Sequence, residues 1–87
     1  MLRYFLTYRG VKLPLCMTEE LAADALAHRN TYFRAEFDDA GRMAWVEKLV
    51  YGEVELRHDY RYDAQGQLLE ARISMLDEEP QLLSFTV

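Results

Sequence analysis

The chain begins with strict alternation. Leu2, Tyr4, Leu6 and Tyr8 are set against Arg3, Phe5, Thr7 and Arg9. Period two over such a run predicts a strand. Gly10 marks a turn, and Val11, Leu13, Leu15 and Met17 alternate with Lys12, Pro14 and Cys16, which predicts the second arm of a hairpin. Pro14 cannot donate to a ladder, so this strand belongs at an edge.

The pattern then changes period. Thr18 is an N-cap residue, and Glu19 and Glu20 suit the positive end of a helix dipole. The alanine-rich run that follows has no glycine or proline, and Leu21, Ala22, Ala25 and Leu26 make an apolar stripe. A helix over about 18–29 is predicted, ended by Asn30.

Beyond Thr31 the alternation returns. Four strands are predicted, over 31–37, 42–51, 53–62 and 67–76, with a last one over 82–87. The turns are Asp38-Asp39-Ala40-Gly41, Tyr51-Gly52 and Asp63-Ala64-Gln65-Gly66. With a two-residue loop at Tyr51-Gly52, Leu49 faces Val54, Lys48 faces Glu55 and Trp45 faces His58. With a three-residue loop before Arg42, Phe37 faces Met43 and Ala35 faces Trp45. One face then carries Phe33, Ala35, Phe37, Met43, Trp45, Leu49, Val54, Leu56 and Tyr60, ready for the helix stripe. The other carries Arg34, Glu36, Lys48, Glu55, Arg57, Asp59 and Arg61. The expected fold is therefore α+β: an N-terminal hairpin, one helix, and an antiparallel meander packed on it, in a single domain over 1–87. Helix-on-sheet architectures of the cystatin kind offer an analogy.

One strand resists this scheme. In the same register Leu69, Ala71, Ile73 and Met75 fall on the charged face. Either a bulge flips them or something covers them: Leu83, Phe85 and Val87, the N-terminal hairpin, or a second copy of the chain. Leu69, Ile73 and Met75 are accordingly candidate interface residues.

Size and charge narrow the class. At 87 residues the chain has material for one core. With 51% apolar and 29% charged residues it has a globular composition. The net charge of −5 argues against nucleic acid and anionic membrane as partners. The one cysteine, Cys16, rules out an internal disulfide and fits a cytoplasmic setting. No cleavage site follows Met1–Tyr8, and no apolar run reaches the roughly 20 residues of a membrane span.

Candidate chemistry is sparse. Glu47 and His58 are polar residues on the expected apolar face, near Trp45 and Tyr60. These four would line a small-ligand pocket between helix and sheet, and a proton could move between Glu47 and His58. The plainer reading is a polar rim where the sheet runs past the helix. Cys16 reads as a small hydrophobe rather than a nucleophile, and His28 as a favourable charge at a helix end. The six tyrosines are common strand residues that also suit interfaces. Two histidines and one cysteine at no ligand-like spacing predict no metal site. There is no phosphate loop or nucleophile elbow, so neither a cofactor nor a catalytic residue is assigned.

Two resemblances bear on this. The segments from Phe37 to Met43 and from Tyr62 to Leu68 resemble the tyrosine-aspartate repeat of large secreted shell proteins. A shell needs many repeats, so only the hairpin is implied. The run from Tyr4 to Leu15, with Val50-Tyr51-Gly52-Glu53, is similar to short bacterial proteins of uncharacterised function, which implies no activity. The expected function is a non-enzymatic interaction domain that self-associates as a homodimer or meets an unknown protein partner. A small-ligand domain is the alternative, and an enzyme using His58 and Glu47 is the third.

Overall fold

The computed structural model describes residues 1–85. Its strands are β1 (Leu2–Arg9), β2 (Cys16–Leu21), β3 (Thr31–Phe37), β4 (Met43–Val50), β5 (Glu53–Tyr62), β6 (Leu68–Met75) and β7 (Gln81–Ser84). They form one antiparallel-paired sheet in the order β2-β1-β3-β4-β5-β6-β7. The expected last strand thus begins one residue earlier than predicted, and Thr86 and Val87 lie outside the described residues. No helix in the described residues is long and apolar enough to cross a membrane.

The predicted helix is replaced. Residues 16–21 pair with β1, from Arg9↔Cys16 to Tyr4↔Leu21, so Thr18 is a strand residue opposite Thr7 rather than an N-cap. What remains is a short 3₁₀ segment, Ala23–His28, with no buried residue. The physical reason is length and cover. Once β2 has taken the first half of the run, the rest is too short to hold an α-helix alone. Ladder hydrogen bonds and burial then outweigh the alanine propensity. The fold is therefore a sheet and not α+β. β2 and β3 flank β1 and both run antiparallel to it, so the segment between them crosses β1.

The two Asp-x-x-Gly turns are built alike. Asp38 Oδ1 accepts the amides of Ala40 and Arg42, each at 2.9 Å. Asp63 Oδ1 accepts those of Gln65 and Gln67 at the same distance. Gly41 and Gly66 both take φ 81°, where a Cβ is strained. Each turn is followed by the same register shift: Phe37↔Met43 gives way to Glu36↔Trp45, and Tyr62↔Leu68 to Arg61↔Glu70. Ala44 and Leu69 are the extra residues. A third shift, between Lys48↔Leu56 and Leu49↔Val54, makes Glu55 extra.

These bulges redistribute the faces. Leu49 does face Val54, as the two-residue turn requires, but beyond Glu55 the ladder moves by one. Trp45 faces Asp59 rather than His58, and Lys48 faces Leu56 rather than Glu55. Ala35 faces Val46 rather than Trp45. Trp45 and Leu56 thus lie on opposite sides, so the expected single apolar face is wrong for Trp45, Leu49 and Val54. The same mechanism resolves the discordant strand. The bulge at Leu69 turns Ala71 and Ile73 to the side of Tyr60 and His58.

The core lies on that side. Phe5, Phe33, Ala35, Met43, Val46, Tyr60 and Ala71 form it, with Leu15 packed among them. Leu15 belongs to the connection Gly10–Leu15, which was expected to be strand. It acts instead as a plug on the core side, where the helix was predicted to lie. Pro14 precedes β2, which is nonetheless an edge strand.

The contrast is measurable. Met43→Ala should cost about 2–5 kcal/mol by urea unfolding, as a buried methionine does. Ala25→Gly should cost less than about 0.5 kcal/mol, because Ala25 is only half-buried and its short 3₁₀ segment holds no buried residue. A loss of about 1 kcal/mol or more at Ala25 would mean that the segment is a packed helix after all.

Candidate functional site

The four expected pocket residues are divided between the two faces. Trp45 and Glu47 lie on the polar face, opposite Asp59 and Arg57. There Glu47, only 6% exposed, sits between two guanidiniums: Arg34 Nε donates at 2.7 Å and Arg57 Nη1 at 2.8 Å. Arg57 also donates to Asp59, and its guanidinium lies over the Trp45 ring at 4.6 Å. Burial pushes the Glu47 carboxyl up, but the hydrogen bonds from Arg34 and Arg57 together outweigh it and hold the group below its ordinary range. Glu47 is thus a fixed anion in a cross-strand ladder, poorly suited to carry a proton.

His58 and Tyr60 share the core face. Tyr60 Oη accepts the Leu15 amide at 3.2 Å and lies 2.7 Å from His58 Nδ1. A hydroxyl oxygen can accept twice, so this bond runs either from the hydroxyl to Nδ1, with the ring proton on Nε2, or from a protonated Nδ1 to the hydroxyl. Burial lowers the His58 pKa, with a small opposing effect from Asp59, and burial pushes the Tyr60 phenol up to about 12. Both groups are therefore neutral at pH 7. This chain of hydrogen bonds ties the plug to the sheet.

The described residues hold no α-helix to wall the expected pocket. A cleft of about 440 Å³ opens instead where the plug meets the two Asp-x-x-Gly hairpins. Its apolar lining includes Phe5, Met17, Met43 and Leu68, and its charged groups are Arg3 and Arg42. Arg3 grips Glu20 through Nε at 2.9 Å and Nη2 at 2.6 Å, and lies over Phe5 and Phe37 at 5.3 and 5.0 Å. Arg42 donates from Nε to Asp38 at 3.2 Å and lies over Tyr62 at 5.4 Å. None of the four expected site residues lines this cleft. Its walls come from separate hairpins, and the one local signal was the repeated Asp-x-x-Gly turn.

The expected interface strand is internal. β6 pairs with β5 on one side and β7 on the other. Ile73 is half-buried beside His58, Leu69 is half-buried at its bulge, and only Met75 is exposed. The accessible apolar surface lies one strand further out, with Leu82 at 62% and Leu83 at 38% exposed. β7 is the outermost strand on that side among the described residues. The Phe85 amide donates to Leu69 O, in register with Ala71↔Leu83. Antiparallel peptide groups alternate in direction. Leu83 therefore bonds inward, and Leu82 and Ser84 turn their N–H and C=O groups outward. The opposite edge, β2, is guarded differently: it carries Glu19, in a left-handed conformation at φ 58°, and Glu20. Cys16 is exposed on β2, and His28 is exposed at the end of the 3₁₀ segment.

A family model described as a family of unknown function (DUF6156) matches residues 1–87. No curated protein and no solved structure matches the chain.

The buried imidazole has a definite pH signature. Its folded pKa lies below its unfolded value near 6.5. Its contribution to stability is complete above that value and is lost as pH falls below it. Unfolding free energy measured from pH 8 to 5 should decline below about pH 6.5. In His58→Gln that decline should be smaller, and equal declines in the two proteins would remove His58 as the cause.

Proposed function

We propose, on the premise that the chain belongs to this family over residues 1–87 and that the family's description carries no activity, that the protein is a non-enzymatic interaction domain. Its partner in this reading is a second copy of itself, joined through β7. The observation that carries it is the unguarded edge: Gln81-Leu82-Leu83-Ser84 has no charge, no bulge and no internal proline, and all four residues are exposed. Natural edges are usually blunted by such devices. Pro80, just before the strand, limits the pairing to a short segment.

Self-pairing suits the geometry. Two antiparallel copies of one strand are related by a two-fold axis normal to the sheet, so a residue can pair with itself and the faces match. With the axis at Leu83, Leu82 of each copy meets Ser84 of the other. These are the residues whose peptide groups point outward, so four backbone hydrogen bonds close around the axis. The two Leu83 side chains meet on the core side, extending the row Tyr60-Ala71-Leu83 from one core toward the next. An interface this short belongs to the weak, transient class. The exposed single thiol of Cys16 fits a cytoplasmic setting for this assembly.

Sedimentation equilibrium tests the pairing. The wild-type chain should self-associate reversibly, and Leu83→Lys should be monomeric with its fold intact. In a Cys16→Ser background, Leu83→Cys should form a disulfide-linked dimer on mild oxidation, because opposed side chains at a non-hydrogen-bonded pair come close. A strict monomer at about 1 mM, where even an association of about 4 kcal/mol would register, overturns the reading. So does a dimer that Leu83→Lys leaves unchanged.

A further inference from the structure

We propose that the cleft between the Gly10–Leu15 plug and the two Asp-x-x-Gly hairpins binds a small amphipathic carboxylate, its head on Arg3 and Arg42 and its apolar body on Phe5, Met17, Met43 and Leu68. The volume of about 440 Å³ falls within the usual range for small-molecule sites, roughly 300–1,000 Å³.

The polarity of the walls selects the ligand. Both charged side chains that line the cleft are cationic, and every other lining residue is apolar or glycine except Tyr62. The Tyr62 hydroxyl is committed to Met43 O at 2.7 Å. The free side-chain donors of the cleft are thus both guanidiniums, over an apolar floor. A head that only accepts hydrogen bonds, carried on a hydrocarbon body, is the complement of that surface.

The guanidiniums are held in place before any ligand arrives. Arg3 commits Nε and Nη2 to Glu20, which leaves Nη1, and two aromatic rings support its plane. Arg42 commits Nε to Asp38, which leaves both terminal nitrogens, and Tyr62 supports it. Its Nη1 lies 3.7 Å from where a Cβ on Gly66 would stand, and Gly66 itself lines the cleft. Fixed donors lose little freedom on binding. Each arginine already has one carboxylate partner, so little net positive charge remains. That favours a monoanion over a dianion such as phosphate, which Glu20 and Asp38 would repel.

The site is separate from β7, none of whose residues lines it. Its failure would leave the dimer reading untouched, and the reverse also holds. The test is a titration of the full chain with octanoate, octan-1-ol and inorganic phosphate, followed by amide chemical shifts. Octanoate should saturate, with the largest shifts at Arg42, Met43, Gly66 and Leu68. Octan-1-ol should bind about tenfold or more weakly, as expected for losing hydrogen bonds to a charged head, and phosphate should not compete. Arg3→Gln and Arg42→Gln should each weaken octanoate about tenfold. The comparison of acid with alcohol needs only the wild-type protein, so it decides the matter even if a variant unfolds. Equal binding of acid and alcohol overturns the proposal, as do shifts centred on β7, competition by phosphate, or no saturation by about 5 mM.

Discussion

Along a β-strand alternate side chains turn to opposite faces, so a single extra residue transfers everything beyond it to the other side. Ala44, Glu55 and Leu69 are such residues here. The bulges at Ala44 and Glu55 bracket the central part of β4 and set it against β5 with Val46 beside His58 and Trp45 beside Asp59. The bulge at Leu69 brings Ala71 beneath Tyr60. Without these shifts the core would contain Trp45 and Glu47, and the polar face would carry Ala71 and Ile73.

The polar face is consequently ordered rather than merely wet. Glu47 is opposite Arg34 and Arg57, and Arg61 is opposite Glu70. Opposite charges at directly paired positions stabilise a sheet, and they also penalise a slip of one residue. Trp45 is tolerated on that face because Arg57 covers its ring. The side chains that resembled an acid–base pair in the sequence are thereby consigned to different roles. Glu47 is neutralised from both sides, and His58 is a buried neutral ring whose Nδ1 pairs with the Tyr60 hydroxyl that holds the plug.

With no helix to cover it, the core side is covered by Leu15, with Leu13 and Met17 packed against the same cluster. The Leu15 amide is satisfied by Tyr60, whose hydroxyl is in turn satisfied by His58. A connection of irregular backbone can lie against a core only when its polar groups find such partners. The plug stops short of the far hairpins, and that gap is the cleft. The two distinct surfaces of the molecule, the cleft and the β7 edge, thus follow from one circumstance: a single-layer sheet has too little chain to cover both its core face and its last strand.

Turns and strands were legible in the sequence because they depend on neighbours in the chain. Asp38-Asp39-Ala40-Gly41, Tyr51-Gly52 and Asp63-Ala64-Gln65-Gly66 specify their own geometry, and the pairs nearest them, Phe37 with Met43 and Leu49 with Val54, came out as turn chemistry demands. A bulge among the later strands was an open possibility, since Leu69, Ala71, Ile73 and Met75 conflicted with the simple register. The sequence could not place the bulges at Ala44 and Glu55, because an extra residue is set by how two strands twist against each other. Nor could it show that residues 16–21 would join β1, since local alanine propensity favours a helix and only the long-range ladder opposes it. The cleft and the free edge belong to the tertiary structure alone: Arg3 and Arg42 are far apart in the chain, and a strand is an edge only when nothing in the fold pairs with its outer side.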